Sequence, residues 1–408
     1  MDFAALIINI TMGAGILGLP AKVYALLGVY SIFAFAVCGL FIGLVILCFA
    51  EVGSRFRKTG GPYLYALESF GSVVGFQAGW LLWLSRLFAF ASVCNLLVNY
   101  TSFFFPDLAG GWERSGFITV VILILALLNW IGIRSTTIVN DILAVIKVAL
   151  LLTFVVAGSF HMDGKAFHVT SSPSLSAFST GTLLLVFAFS GFDVASVATG
   201  EVRNPRRNIP FALGVALGIV TCLYIGIQIV SIGSLPGLAK SERPLSDAAS
   251  VFGGTTGVAF FTIGAVITIA GTLNVLILTC SRLLFAMAEQ RQMPSFLREV
   301  HPRFRTPTYA LLTTTAILLA LTIFSDFIGA LSISAVIRLF TFVTTALSLL
   351  RFRKKMGPAP FTIRHAPSVV VVVILVSFGL LWYSGWDEVR AAVILAVVGF
   401  FVSLTKYL

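Results

Sequence analysis

Charge is what this chain has least of. Only 11% of its 408 residues are Asp, Glu, Lys or Arg, where a soluble domain carries about 25%. With 58% hydrophobic residues and a mean hydropathy of +1.03, a soluble fold of this length has no way to hide the apolar surface. Histidine is scarce too. His161, His168, His301 and His365 all lie between apolar runs, where each reads as a solvated side chain and not as part of a proton relay. The five cysteines, Cys38, Cys48, Cys94, Cys222 and Cys280, sit inside apolar runs with no CxxC or Cys/His spacing, so neither disulfides nor a metal site is expected. No GxxxxGK[ST] pattern is present, which argues against ATP-driven pumping by this chain. No Ser/His/Asp set can be placed in one cavity, so an enzyme is not expected, nor is a cofactor.

What is there in quantity is long apolar runs. A helix needs roughly 20 residues to cross about 30 Å of hydrocarbon, and runs of that length recur along the whole chain. Bounded by charges, Gly and Pro, they predict spans at 3–28, 31–53, 73–105, 115–133, 137–160 and 177–200 in the first half. A second set follows at 210–235, 255–286, 307–325, 327–350, 367–384 and 388–406. The fold class expected is therefore an all-α integral membrane protein of about twelve transmembrane helices, with the lipid bilayer as its solvent. Only Met1 and Asp2 precede the first run, and no secretory cleavage pattern closes it, so the first span is expected to be retained.

A net charge of +11 would suggest nucleic acid in a soluble protein, but here it has another explanation. With the N-terminus inside, seventeen of the 27 basic residues fall in inside loops or tails, among them Arg55, Arg203, Arg206, Arg303, Arg351 and Lys354. Five fall outside (Arg114, Lys165, Lys240, Arg243, Arg390), and five lie within spans (Lys22, Arg86, Lys147, Arg282, Arg338). That bias predicts a multi-pass protein of the cell (plasma or inner) membrane with both termini cytoplasmic. No nucleic acid partner is implied.

Spans one and six share an oddity. Each carries glycines at mid-depth, in GAGILGLP (Gly13 to Pro20) and in FAFSGFD (Phe187 to Asp193). Gly costs a helix about 1 kcal/mol relative to Ala, and Pro20 cannot donate to the carbonyl of Ile16, so span one is expected to open there. Unwound backbone at this depth persists only where it faces protein, water or a ligand. The outer half of span one would start with free amides around Gly15 to Leu17, suited to a carboxylate. The outer half of span six would end with free carbonyls near Phe187 to Ser190, suited to an ammonium. Together they describe a receptor for a zwitterion. The bland alternative is that these glycines are close-packing positions between helices. Breaks five spans apart suggest two inverted five-helix repeats, 1–160 and 177–350, with two additional helices in 351–408.

Longer motifs carry a resemblance. GAGILGLPAKVYALLG (Gly13 to Gly28), TGGPYLYALESFG (Thr59 to Gly71), FAFSGFDVASVATGEVRNPRRNIP (Phe187 to Pro210) and CSRLLFAMAEQRQMP (Cys280 to Pro294) resemble, in order, segments of the amino acid–polyamine–organocation (APC) superfamily of permeases. The resemblance covers nearly the whole chain and implies the LeuT-like fold with discontinuous helices 1 and 6. It implies that backbone at Gly13, Ala14, Gly15 and Ile16 holds a substrate carboxylate, and that backbone at Phe187, Ala188 and Ser190, beside Gly191, holds the α-amino group. Phe187 and Phe189 would be aromatic gates. The residue after GF in span six, often Glu in that family, is Asp193 here, one methylene shorter.

An ionisable side chain at mid-bilayer costs at least about 2.5–3.5 kcal/mol and needs a partner or a purpose. Lys147 lies about ten residues, roughly 15 Å, into span five, too far for its stem to reach either interface. An ammonium so placed can exchange its proton near neutral pH, the property proton coupling requires. The alternative is a structural ion pair. Similar permeases carry a lysine here, and the resemblance implies the span-one carbonyls near Gly13 and Thr272 as its partners. Asp193 is a second proton-coupling candidate, or else a carboxylate facing the cytoplasmic vestibule. Arg86 and Arg338 are read as structural, and Glu51 and Arg282, near helix ends, as snorkelling to the interface. The function expected is a secondary active transporter importing amino acids across the cell membrane by alternating access, coupled to protons and not to ATP. The rivals are an amino acid or amine exchanger and, in another class, a non-transporting amino acid sensor, against which the short tails argue. An accessory subunit is left open.

Overall fold

The computed structural model describes residues 12–56, 61–132, 137–169, 172–192 and 205–404, with side chains left aside at 137–144, 205–207, 209–210 and 404. The described residues form helices joined by short turns: α1 Gly15–Leu27, α2 Ser31–Gly53, α3 Gly61–Phe70, α4 Ser72–Thr101, α5 Gly111–Ile131, α6 Thr137–Ser159 and α7 Leu175–Ala188. After these come α8 Pro205–Ser234, α9 Pro244–Glu289, α10 Thr308–Ile323, α11 Phe327–Met356, α12 Ala366–Trp382 and α13 Trp386–Leu404. Among the described residues six stretches are long and apolar enough to cross a membrane, or seven if α12 and α13, bent by 115° at their junction, count as one. α7 and α10 are apolar but shorter. At 1.5 Å per residue the 14 residues of α7 extend about 21 Å, less than the hydrocarbon thickness.

Apolar side chains lie on the outside as well as in the core. Leu40, Phe211, Trp382 and Phe401 are each more than 60% exposed, which is tolerable only where the solvent is lipid. α4 is the central helix, with 94% of its apolar window buried against 17% for α5. It packs on α3, α9, α10, α11 and α13, and reciprocal serine bonds fix it to α11: Ser85 Oγ donates to the Ser334 carbonyl at 3.0 Å and Ser334 Oγ to that of Ser85 at 2.7 Å. A second group, α1, α2, α7 and α8, packs on itself. Small residues allow the close approach: a Cβ on Gly39 would meet Thr221 at 2.7 Å, and one on Gly181 would meet Leu27 at 2.8 Å.

Several expectations need amending. Between the predicted spans 31–53 and 73–105, where no span is expected, lies the helix α3. The eighth predicted span is preceded by another helical stretch from Pro244, set at an angle by Gly254, whose φ of 54° and ψ of −149° only glycine adopts readily. Glu51 does not snorkel. It is fully buried, gripped by Arg353 through Nε–Oε1 and Nη2–Oε2 bonds of 2.6 Å each, and by the Ile363 amide at 2.7 Å. Arg55 Nη2 lies 3.6 Å from the same carboxylate, and its Nη1 donates to the Gly357 carbonyl at 2.8 Å. The carboxylate thus fastens α2 to the end of α11 and to the linker that follows it.

Candidate functional site

The first break lies just ahead of α1. Met12 to Ala14 are not helical, and Ala14 occupies the cap position with no side chain bonding the free amides of the first turn. The Leu17 amide is satisfied by the Ala14 carbonyl at 3.0 Å. Ala14, Gly15, Ile16 and Leu17 are all buried. An uncapped helix start away from water concentrates donors and positive partial charge, worth up to about 2 kcal/mol to an anion in a partly buried setting.

Pro20 is not where the helix gives way. It lies inside α1, one turn beyond the start, so the bond it forfeits is a single one, to Ile16. Its own carbonyl accepts from Gln228 Nε2 at 3.3 Å. Among the described residues helix begins only at Gly15, after Met12, Gly13 and Ala14.

The second break ends α7. The helix stops at Ala188, the Phe189 and Ser190 amides close the last turn on the Leu185 and Phe187 carbonyls at 3.1 Å each, and Gly191 adopts φ +118°. That value lies in the region only glycine enters without strain, so the break is encoded at Gly191. Ser190 Oγ turns back onto the Val186 carbonyl. Asp193 lies outside the described residues.

The two breaks touch. A Cβ on Gly15 would come within 2.9 Å of Phe187 Cδ1 and 3.2 Å of Ala188 Cα. Tyr224, from the middle of α8, joins them: its phenol donates to the Ala188 carbonyl at 3.1 Å and faces the Gly13 amide. The Phe189 ring meets Tyr224 edge-on at 5.0 Å. The positions Gly13 to Ile16 and Phe187 to Gly191 therefore share one locality. Tyr224 was not among the candidates read from the sequence. The available signal was a tyrosine deep in an apolar run, whose hydroxyl must find a partner there. Tyr100 of α4 was missed similarly; it donates to the Leu17 carbonyl at 2.7 Å.

Lys147 is buried on α6, in a stripe with Leu150, Leu151 and Phe154, while Val145, Ile146, Leu152 and Val156 are exposed. It therefore faces protein and not lipid. The Phe154–Phe261 ring contact at 5.5 Å and the approach of Leu150 to Gly264 set an antiparallel register between α6 and α9. In that register Lys147 falls level with Thr268, one turn from the Thr272 implied by the resemblance. Arg86 Nη1 donates to the Thr279 carbonyl at 3.3 Å. Arg338 is buried on α11 between Ser334, bonded to α4, and Phe342, whose ring lies 5.7 Å from that of Phe192. Among the described residues no group of His, Cys, Asp and Glu has the arrangement of a metal site.

A family model described as amino acid permease matches residues 1–403. The chain belongs to that family, within the APC superfamily. Relatives of this permease are transporters too. It is 27% identical over 412 residues to the methylthioribose transporter of Bacillus subtilis (strain 168), covering 94% of this chain and 86% of that one. It is 29% identical over 388 residues to the serine/threonine exchanger SteT of the same organism, covering 92% and 88%. With cationic amino acid transporter 9, chloroplastic, of Arabidopsis thaliana it shares 29% over 321 residues, 74% of this chain and 56% of the relative. The permease is a multi-pass membrane transporter and not an enzyme.

Proposed function

We propose that this permease moves amino acids across the cell membrane by alternating access, holding the substrate between the start of α1 and the end of α7. The observation that carries this reading is the contact of an uncapped helix start with an open helix end inside a protein that spans lipid. Amides at Gly13 to Ile16 take the carboxylate, and carbonyls at Phe187, Ala188 and Ser190 take the ammonium. Neither end of the zwitterion then needs a charged side chain. The mutual packing of α1 with α7 and of α2 with α8, each pair five spans apart in the twelve-span reading, supports two inverted repeats, 1–160 and 177–350, followed by 351–408. Rocking of α1, α2, α7 and α8 against the group around α4 would expose the site to either side.

Uptake is coupled to protons in this reading, through Lys147 on the protein-facing stripe of α6 and Asp193 after the sixth-span break. Reconstituted vesicles provide the test. Uptake into empty proteoliposomes should require an inward proton gradient and should lose that requirement in Lys147→Ala. Uptake that appears only in vesicles preloaded with amino acid, with no effect of the gradient, would replace symport by exchange. Exchange is the second reading because one relative is named as a serine/threonine exchanger.

A further inference from the structure

Resting on that alternating-access reading, we propose that the turn between α8 and α9 is a strap that closes the outer entrance to the site, with the Glu242 carboxylate as its release point. In this structure the seam between the outer half of α1 and its neighbours is filled. A Cβ at Gly18, one turn along α1 from Gly15, would lie 2.8 Å from both Leu96 Cδ1 of α4 and Phe327 Cζ of α11. Beside them the Tyr100 hydroxyl of α4 donates to the Leu17 carbonyl. A solute that reaches the breaks by this route has to wait until the outer half of α1 parts from α4. Whatever ties those two helices together beyond Gly18 therefore sets how readily the entrance opens.

Glu242 is such a tie. Its two oxygens serve the two helices: Lys22 Nζ of α1 donates to Oε1 at 2.6 Å, and Asn99 Nδ2 of α4 donates to Oε2 at 3.1 Å. Any movement that parts α1 from α4 breaks one bond or the other. The turn that presents the carboxylate is braced. Leu238 is buried with Ala21 of α1 and Ile232 of α8. Ser241 Oγ donates to Asp247 Oδ2 at 2.6 Å, and Arg243 Nε lies 3.5 Å from Asp247 Oδ1. The Arg243 guanidinium stands over the Phe103 ring, 5.2 Å from its centre, just past the end of α4. Exposure makes the contact releasable. The Glu242 side chain is 56% exposed and that of Lys22 22%, so water replaces the lost partners, and an exposed pair typically biases an equilibrium by up to about fivefold. On the other face Arg353 and Glu51 tie α11 to α2 across the same two groups of helices, but that carboxylate is fully buried, so breaking the pair strands a charge away from solvent. The outer face is thus the easier of the two to open, which suits uptake from outside.

Leu96→Cys reports the opening, because position 96 is fully buried beside Gly18 and meets an impermeant maleimide only when α1 leaves α4. The measurement is the labelling rate in right-side-out membrane vesicles, in a background lacking the native cysteines. Added Glu242→Ala should speed labelling roughly two- to fivefold. Raising salt to about 1 M should speed the parent and leave Glu242→Ala unchanged, since only the ion pair is screened. Lys22→Glu should also speed labelling, and the exchange of charges in Lys22→Glu with Glu242→Lys should slow it again, a rescue that a turn merely supporting the fold does not give. Equal rates in the parent, Glu242→Ala and Lys22→Glu at both salt concentrations would overturn the strap, as would no labelling of position 96 at all or a charge exchange that rescues nothing. Phe327→Cys gives the same comparison from the α11 side should Leu96→Cys fail to fold. Failure of the underlying reading shows differently: the unmodified protein in proteoliposomes would take up none of the twenty amino acids, whatever the labelling rates.

Discussion

Tyr224 shows most directly how a single side chain organises this site. Its hydroxyl donates to the Ala188 carbonyl and faces the Gly13 amide, so it holds both breaks at a fixed separation. Tyr224→Phe deletes the hydroxyl and leaves the ring contact with Phe189. The loss of one buried hydrogen bond is worth about 1 kcal/mol, so the half-saturation concentration for uptake should rise roughly fivefold. Proteoliposome kinetics would check it, and a change in maximal rate alone, with half-saturation unaltered, would point away from a role at the binding step. At this scale the sequence was partly legible. Gly13, Gly15 and Gly191 advertise their breaks because glycine in a membrane helix calls for a reason. Tyr224 and Tyr100 did not, since nothing in a local window distinguishes a tyrosine that bonds a distant carbonyl from one that sits at the interface.

Among the elements, α1 and α7 are informative because each is too short to cross the bilayer alone: the 13 residues of α1 span about 20 Å. Their shortness follows from where the glycines lie, and Pro20, which looked like the breakpoint, is accommodated within the second turn of α1. A proline near a helix start forfeits little, which the sequence pattern could not weigh without the cap position. The junction at Glu51 was illegible for a different reason. Arg353 and Ile363, which enclose it, are about three hundred residues further along the chain, so an acid near a helix end reads locally as surface. Arg353→Ala leaves that carboxylate buried with one strong partner fewer. Breaking a buried pair typically costs roughly 3 kcal/mol or more, so the variant should unfold at a clearly lower temperature in detergent, measured by tryptophan fluorescence. An unchanged unfolding temperature would mean that the linker reaches the carboxylate's needs by another route.

For the molecule as a whole, composition and periodicity already specified an all-helical protein dissolved in lipid, because the apolar exterior of α2, α8 and α13 leaves no other solvent. Helix existence was legible almost everywhere; what escaped were the helices outside the spans, α3 and the Pro244 stretch before Gly254, whose mixed polarity lacks the long apolar run that marks a span. Orientation rests on the distribution of basic residues and is testable on exposed positions. Lys354→Cys should react with an impermeant maleimide only from the cytoplasmic side and Lys165→Cys only from the opposite one, in a background lacking the native cysteines; labelling of both from one face would invert or break the topology. The central claim is that two helix ends grip the two poles of a zwitterion. The most direct measurement compares, by thermal shift and calorimetry, the amino acid bound most tightly with its decarboxylated amine and its deaminated acid. Both analogues should bind at least about a hundredfold more weakly, since each leaves one buried helix end without its partner. Equal binding of either analogue would show that the corresponding helix end takes no part in recognition.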